Sequence, residues 1–177
     1  MAIFAHGIAN GYPLAAGAGK KQVMRSHYDN FISSTYYSDT VSLAAGVAVL
    51  HDLRTKPVVE TINRNGKVLL DGIDASIKKY GVRAKAAGRP DHFVLSLGYG
   101  NQNDPVHTLY MQEMISRGIY WVGGWFLCFT HTQHVIQNIL AASDEVFEIV
   151  AKAIQQNEVE GMLRAPVQET VLTRPGE

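Results

Sequence analysis

Cysteine is almost absent from this sequence. Cys128 is the only one in 177 residues, which excludes an intrachain disulfide and any cysteine-rich metal site and matches a reducing compartment. An excess of charge is missing as well. Sixteen basic and sixteen acidic residues cancel to a formal net charge of zero, so no electrostatic field draws the chain to nucleic acid or to an anionic membrane. No apolar run approaches the roughly eighteen residues of a membrane span, and the first residues lack the basic region and cleavage site of a secretory signal. Internal repeats and low-complexity linkers are also lacking. The expectation is a cytoplasmic protein whose partner is a protein or a small molecule.

The composition, 46% hydrophobic and 18% charged, is that of an ordinary globular chain. Its length suits one domain with a sizeable core, or a small domain with a piece of another. An apolar run at residues 2–5 leads into a glycine-punctuated turn, and a second apolar run spans 14–18. His6 is thereby held at a sharp turn at a strand end. Residues 20–25 read as a short polar helical turn. Ser38 or Asp39 is placed to cap a helix over 41–50, whose small residues imply burial against another backbone.

Pro57 suits the first turn of a long helix. Apolar residues at Val58, Val59, Ile62, Leu69, Leu70, Ile73 and Ile77 recur at steps of three and four, which gives one buried stripe, and Gly81 ends it. Gly66 and Gly72 each weaken such a helix by about 1 kcal/mol relative to Ala, so tertiary packing has to hold it. Residues 82–90 read as a weak strand or loop, and 92–98 as a strand. A helix starts at Asp104-Pro105 and stops at Gly118. Residues 119–122 and 125–129 read as a hairpin about Gly123-Gly124. Thr130 or Thr132 then caps an amphipathic helix carrying Val135, Ile136, Ile139, Leu140, Val146, Phe147, Val150 and Ile154 on its apolar side. The order implies an α+β layer with helices on one side of a mainly antiparallel sheet.

Among single residues, His6 is either an ordinary strand-end histidine or a proton-transfer group near neutral pH. The hydroxyl cluster Ser33-Ser34-Thr35 before a helix suits a capping turn or an anion site. His131 and His134 lie three apart, but no carboxylate or third histidine sits at ligand spacing, so no metal site is expected. Gly98, Gly100, Gly123 and Gly124 lack the strand-to-helix context of a nucleotide loop and read as turns. Trp121 and Trp125 read as core or interface aromatics.

The run from Ala2 to Gly17, followed by Phe31 to Thr40, resembles the active-site segment of class III pyridoxal-phosphate (PLP) aminotransferases, most closely the branch of glutamate-1-semialdehyde aminomutase. Arg117 to Tyr120 and Phe129 to Thr132 continue the likeness. In that family the strand ends in the lysine that bonds to PLP, and here that position reads His6, an imidazole without the primary amine a Schiff base needs. The family's phosphate-binding threonine, which serves the partner subunit's cofactor, matches Thr35, with Ser34 beside it.

The resemblance implies the α/β class, an α+β small domain within the C-terminal part of the fold-type-I PLP-dependent transferase fold. It divides the chain into 1–55, the end of the PLP-binding large domain; 56–157, the α+β small domain; and 158–177, an extended tail. The N-terminal part of that fold, with most of the cofactor cup, is expected from a partner chain. The implied function is amino transfer or aminomutase isomerisation, PLP-dependent, on a small amino-acid-like or amino-sugar substrate, with the chain inactive alone and forming a homo-oligomer or binding that partner. The alternatives are a non-catalytic interaction protein derived from the fold, that is, a pseudoenzyme, and a PLP- or PMP-dependent enzyme with His6 as base.

Overall fold

The structure is a computed structural model that describes residues 1–169. The chain divides into two compact units, residues 1–58 and a second beginning at Val59.

In the first unit, strand β1 (Ala2–Phe4) pairs antiparallel with β2 (Ala16–Ala18), with Ile3 opposite Gly17. Helix α1 (Lys21–Met24) and a 3-10 turn, Arg25–Asp29, follow at the expected polar segment. Helix α2 (Thr40–Thr55) starts where Asp39 caps it, the carboxylate accepting from the backbone N–H groups of Val41 and Ser42, both at 3.2 Å. The expected burial of α2 is not found within this unit: only Ser42 and Gly46 are buried, and Val41, Leu43, Val47, Leu50 and Leu53 are exposed. Small residues allow close packing wherever a neighbour exists, as Gly46 shows by lying against Leu14. They cannot supply the neighbour.

The second unit is built on helix α3 (Val58–Tyr80), with Leu69, Ile73 and Ile77 buried as the stripe requires and Gly81 at φ +65° ending it. Val59, read into that stripe, is exposed. Asp144 ties α3 to α5 (Gln133–Gln156): it accepts from Ser76 Oγ at 2.8 Å, Lys79 Nζ at 2.7 Å and Tyr80 Oη at 2.9 Å.

The sheet has the order β3 (Ala84–Arg89), β4 (His92–Leu97), β5 (Gly124–Phe126), all antiparallel. Residues 82–90, equivocal in sequence, thus contain a full strand paired Ala84↔Leu97 through Arg89↔His92. Burial alternates along β4, with Phe93 and Leu95 inside and His92, Val94 and Ser96 outside, so one face of the sheet carries the core and the other does not.

Residues 119–122 form no strand. β5 pairs with β4 instead, and Trp121, 2% exposed, turns into the aromatic core beside Tyr110 and Trp125. Burial of that indole outweighs a two-strand hairpin, which has little stability alone. Helix α4 (Asn103–Ser116) and α5 close the core with Val106, Leu109, Met114, Ile136, Val146 and Phe147. Thr132, one of the two candidate caps, accepts from the Val135 N–H at 3.4 Å.

Of the tail, the described part lies on α4. Arg164 donates to Glu113 Oε1 at 2.7 Å, and its backbone N–H to Gln112 Oε1 at 2.7 Å; the Gln168 N–H reaches Thr108 Oγ1 at 2.9 Å. Burial opposes the Glu113 charge, yet bonds from Gln112 and Arg117 and the Arg164 charge keep its carboxyl below the ordinary value. Residues 170–177 of the expected tail lie outside the described residues.

Gly66 explains itself by distance. A Cβ there would sit 1.9 Å from the carbonyl oxygen of Pro90 in the β3–β4 turn, so α3 approaches that turn only because the side chain is missing. Gly66→Ala is expected to destabilise the second unit by about 1–3 kcal/mol or more through forced backbone movement, read as a lower urea midpoint with an unchanged slope.

Candidate functional site

Ala5 is extended, at φ −146° and ψ −168°, and the next residue reverses the chain: His6 stands at φ +52° and opens a 3-10 turn, His6–Ile8. A non-glycine residue in the left-handed region is uncommon and carries a backbone cost. Asn10 at φ +47° and Gly11 at φ +106° continue the turn, which the Tyr12 N–H closes on the Ala9 carbonyl at 3.2 Å. Asparagine and glycine tolerate these angles best, so the sequence specifies this turn locally. The outcome is an exposed imidazole at the end of β1.

Ser34 and Thr35 are exposed in the turn ahead of α2, where the Tyr37 N–H donates to the Ser34 carbonyl at 3.1 Å and the Asp39 N–H to the Tyr36 carbonyl at 3.2 Å. Asp39, not a serine or threonine of the cluster, caps the helix. That leaves the Ser34 and Thr35 hydroxyls out of the capping role. The Ser42 hydroxyl donates to Asp39 as well and is the main cause holding its carboxyl below the usual aspartate value of 3.8, with the Ser42 and Val41 N–H groups adding to it.

A cavity of about 480 Å³ in the same unit is lined by Met1, Ile3, Val23, Met24, His27 and Ile32 among others. Neither His6 nor Ser34 nor Thr35 lines it. For PLP, the exposed hydroxyls of Ser34 and Thr35 fit a phosphate contact. The imidazole of His6 does not fit covalent attachment, having no primary amine.

No group of three potential metal ligands occurs among the described residues. His134 contacts Asn138 Nδ2 at 3.2 Å. His131, however, meets Cys128, whose Sγ lies 3.1 Å from Nδ1. The sequence offered a signal, a cysteine three residues before a histidine at a helix start, but only the turn geometry brings the two side chains together.

No family model matches the chain. It is 25% identical over 146 residues to an aminopentol aminotransferase of Sphingopyxis macrogoltabida, covering 81% of this chain and 34% of that protein. To a glutamate-1-semialdehyde 2,1-aminomutase of Ruminiclostridium cellulolyticum it is 27% identical over 161 residues, covering 78% and 36%. Among solved structures, the PLP internal-aldimine form of the FumI protein of a Sphingopyxis species superposes with TM-score 0.76 at 23% identity, covering 84% of this chain and 36% of that one. A transaminase with PLP bound gives 0.75 at 19%, covering 85% and 38%.

The fold is the C-terminal part of a PLP-dependent transaminase. Its homologues are class III aminotransferases and glutamate-1-semialdehyde aminomutases. The chain spans about a third of the length of the curated relatives it matches, and the mixed helix-and-sheet class read from the sequence agrees. No helix among the described residues is long and apolar enough to cross a membrane.

The Asp39 cap carries its own test. Its folded carboxyl titrates below 3.8, so the contribution to α2 is complete above that value and is lost as pH falls through the lower, folded one. The Val41 and Ser42 amide shifts are expected to titrate below pH 3.8, with the first turn of α2 loosening in step. Asp39→Ala should abolish that titration.

Proposed function

We propose that this transaminase-fold chain supplies the C-terminal third of a PLP-dependent amino-transfer or aminomutase site. It acts when the N-terminal two thirds of the fold is provided, in the same polypeptide or by a partner, and gives no transaminase turnover without it. Its substrate is a small amino-acid-like or amino-sugar compound, and its setting the cytoplasm, which a single free thiol supports.

The observation that carries this reading is the likeness to the C-terminal part of PLP-dependent transaminases, and the residue in it that bears on the chemistry is His6. It stands exposed at the end of β1, at the reversal where the resembled family places its lysine. An imidazole there can hold or move a proton but cannot bond to an aldehyde as an amine does. Thr35, with Ser34, is the phosphate contact, and it serves the partner subunit's cofactor.

Purified protein given PLP is expected to lose it on dialysis, with no borohydride-stable mass at position 6. His6→Lys is expected to attach PLP weakly at that position without turnover, and Thr35→Ala to weaken PLP or phosphate binding by about 1–2 kcal/mol, the scale of one charge-assisted hydrogen bond. Efficient turnover by His6→Lys alone would refute the need for the rest of the fold. Turnover by the unmodified chain would favour the reading in which His6 is the base for PLP or PMP.

A second reading, an interaction protein and pseudoenzyme that keeps the fold without the chemistry, is favoured by the missing primary amine at His6, and it shares with the first an apolar surface on residues 1–58. Phe31 is 95% exposed, and Ile3, Tyr28, Tyr37 and Val47 also face solvent. So much apolar exposure marks an interface. Both readings therefore expect a homo-oligomer or a complex with a protein that covers this surface, and a monodisperse monomer at micromolar concentration in sedimentation would refute the interface.

A further inference from the structure

The cavity of about 480 Å³ in the first unit has walls that the local chain geometry fixes. A 3-10 turn repeats every three residues, so along α1 and the turn Arg25–Asp29 the residues Met24, His27 and Asn30 fall close to one row, with Val23 and Ser26 beside it. All five line the cavity, and Tyr28, on the remaining row, does not. The hairpin supplies another wall. Ile3 and Gly17 are cross-strand partners, so their side-chain directions share one face, and both line the cavity. A Cβ at Gly17 would meet no atom within 4 Å, so the missing side chain leaves open space there.

Three polar side chains interrupt the apolar lining. The Ser26 hydroxyl donates to the Val23 carbonyl at 3.0 Å, and Asn30 Nδ2 donates to the Ser26 carbonyl at 2.7 Å. His27 Nδ1 contacts the Met24 carbonyl. A carbonyl only accepts, so the hydrogen of the neutral ring sits on Nδ1 and the lone pair on Nε2. Ser26 and His27 therefore leave only acceptors for a ligand, Oγ and Nε2, and Asn30 Oδ1 is a third. No lining residue is acidic, and none is a lysine or an arginine. An ammonium finds no counter-charge in such a cavity, and an anion meets chiefly lone pairs.

We propose that this cavity is a binding site for a small uncharged molecule that joins an apolar body to a hydroxyl group. The body lies against Ile3, Val23, Met24 and Ile32, and the hydroxyl donates to Ser26, His27 or Asn30. Pockets for small molecules span roughly 300–1,000 Å³ and combine an apolar lining with a few polar groups. A benzene ring needs only about 150 Å³, so a ring with its substituents fits.

Benzyl alcohol is the probe, with toluene, benzoate and benzylammonium as controls. Titrated into the isotope-labelled full chain, benzyl alcohol is expected to shift the amide signals of residues 3, 17 and 23–30 saturably. Toluene, which lacks the donor, is expected to bind about fivefold more weakly, the scale of one net hydrogen bond, and the two ions to give no saturable shift. His27→Phe keeps a ring without the acceptor and should narrow the gap between benzyl alcohol and toluene. Gly17→Phe, which sets a ring in the open space, should abolish the shifts while the circular dichroism stays that of the parent. No saturable shift with benzyl alcohol, equal affinity for toluene, tighter binding of either ion, or unchanged binding in Gly17→Phe would each overturn the proposal. Signals of residues 23–30 that move with protein concentration and resist benzyl alcohol would overturn it too, by showing that a side chain of another protein chain fills the cavity. Should a variant fail to fold, the four ligands on the parent chain decide by themselves.

Discussion

A chain of ring contacts holds the second unit together, and every element that surrounds it takes its place from that chain. Phe93 of β4 stacks on Trp125 of β5 with centroids 4.9 Å apart; Trp125 meets Tyr110 of α4 at 6.4 Å and Trp121 at 5.3 Å; Tyr110 meets Phe147 of α5 at 4.9 Å. Each such pair adds about 0.5–1.5 kcal/mol beyond the area it buries. The larger effect is geometric, because rings from four separate elements have to meet at fixed distances in a close-packed interior. Burial in this cluster also raises the Tyr110 hydroxyl's pKa well above the ordinary tyrosine value, so that phenol is an uncharged structural group.

The first unit has no equivalent. Its strands are three residues each and pair only with one another, and two-stranded ribbons have little stability in water. Helix α2 is apolar on several sides, the pattern of a helix that packs all round, yet within its own unit it meets neighbours chiefly at Ser42 and Gly46. The same polypeptide therefore joins a unit whose core is complete to one whose apolar surface still calls for cover. An amino-transfer half-site and an interaction protein both need that cover, which is why the exposed surface does not choose between them and the chemistry at His6 does.

What could be read from sequence followed from how local each determinant is. Pro57 and Gly81 bracket α3, and Thr132 caps α5, through contacts within one helical turn. The His6 reversal was legible because glycine and asparagine mark positive φ without help from the rest of the fold. Four features were not. Burial of α2 was inferred from small residues, which permit packing but do not provide it. The 119–122 run has strand composition, but Trp121 is decided by a ring cluster assembled from α4 and β5. Residues 84–89, mostly small and polar, owe their strand to the neighbouring β4. The Cys128–His131 contact escaped for the same reason, since a spacing of three becomes a contact only in one turn geometry, which a carboxamide 66 positions away anchors.

The backbone at His6 bears on how its chemistry is to be understood. A residue with a Cβ at φ +52° pays the left-handed cost whatever its side chain, and lysine gains no more relief there than histidine. The strain belongs to the turn, between Ala5 in extended conformation and the short 3-10 segment that follows, and not to the imidazole. Exchanging an amine for an imidazole at this place therefore alters reactivity with little change in conformational cost. A chain could lose the covalent step and keep the turn, the hairpin and the helix start that presents Ser34 and Thr35. Retention of this geometry consequently carries no information about whether amino-group chemistry survives; only a reaction that separates a primary amine from a ring nitrogen does.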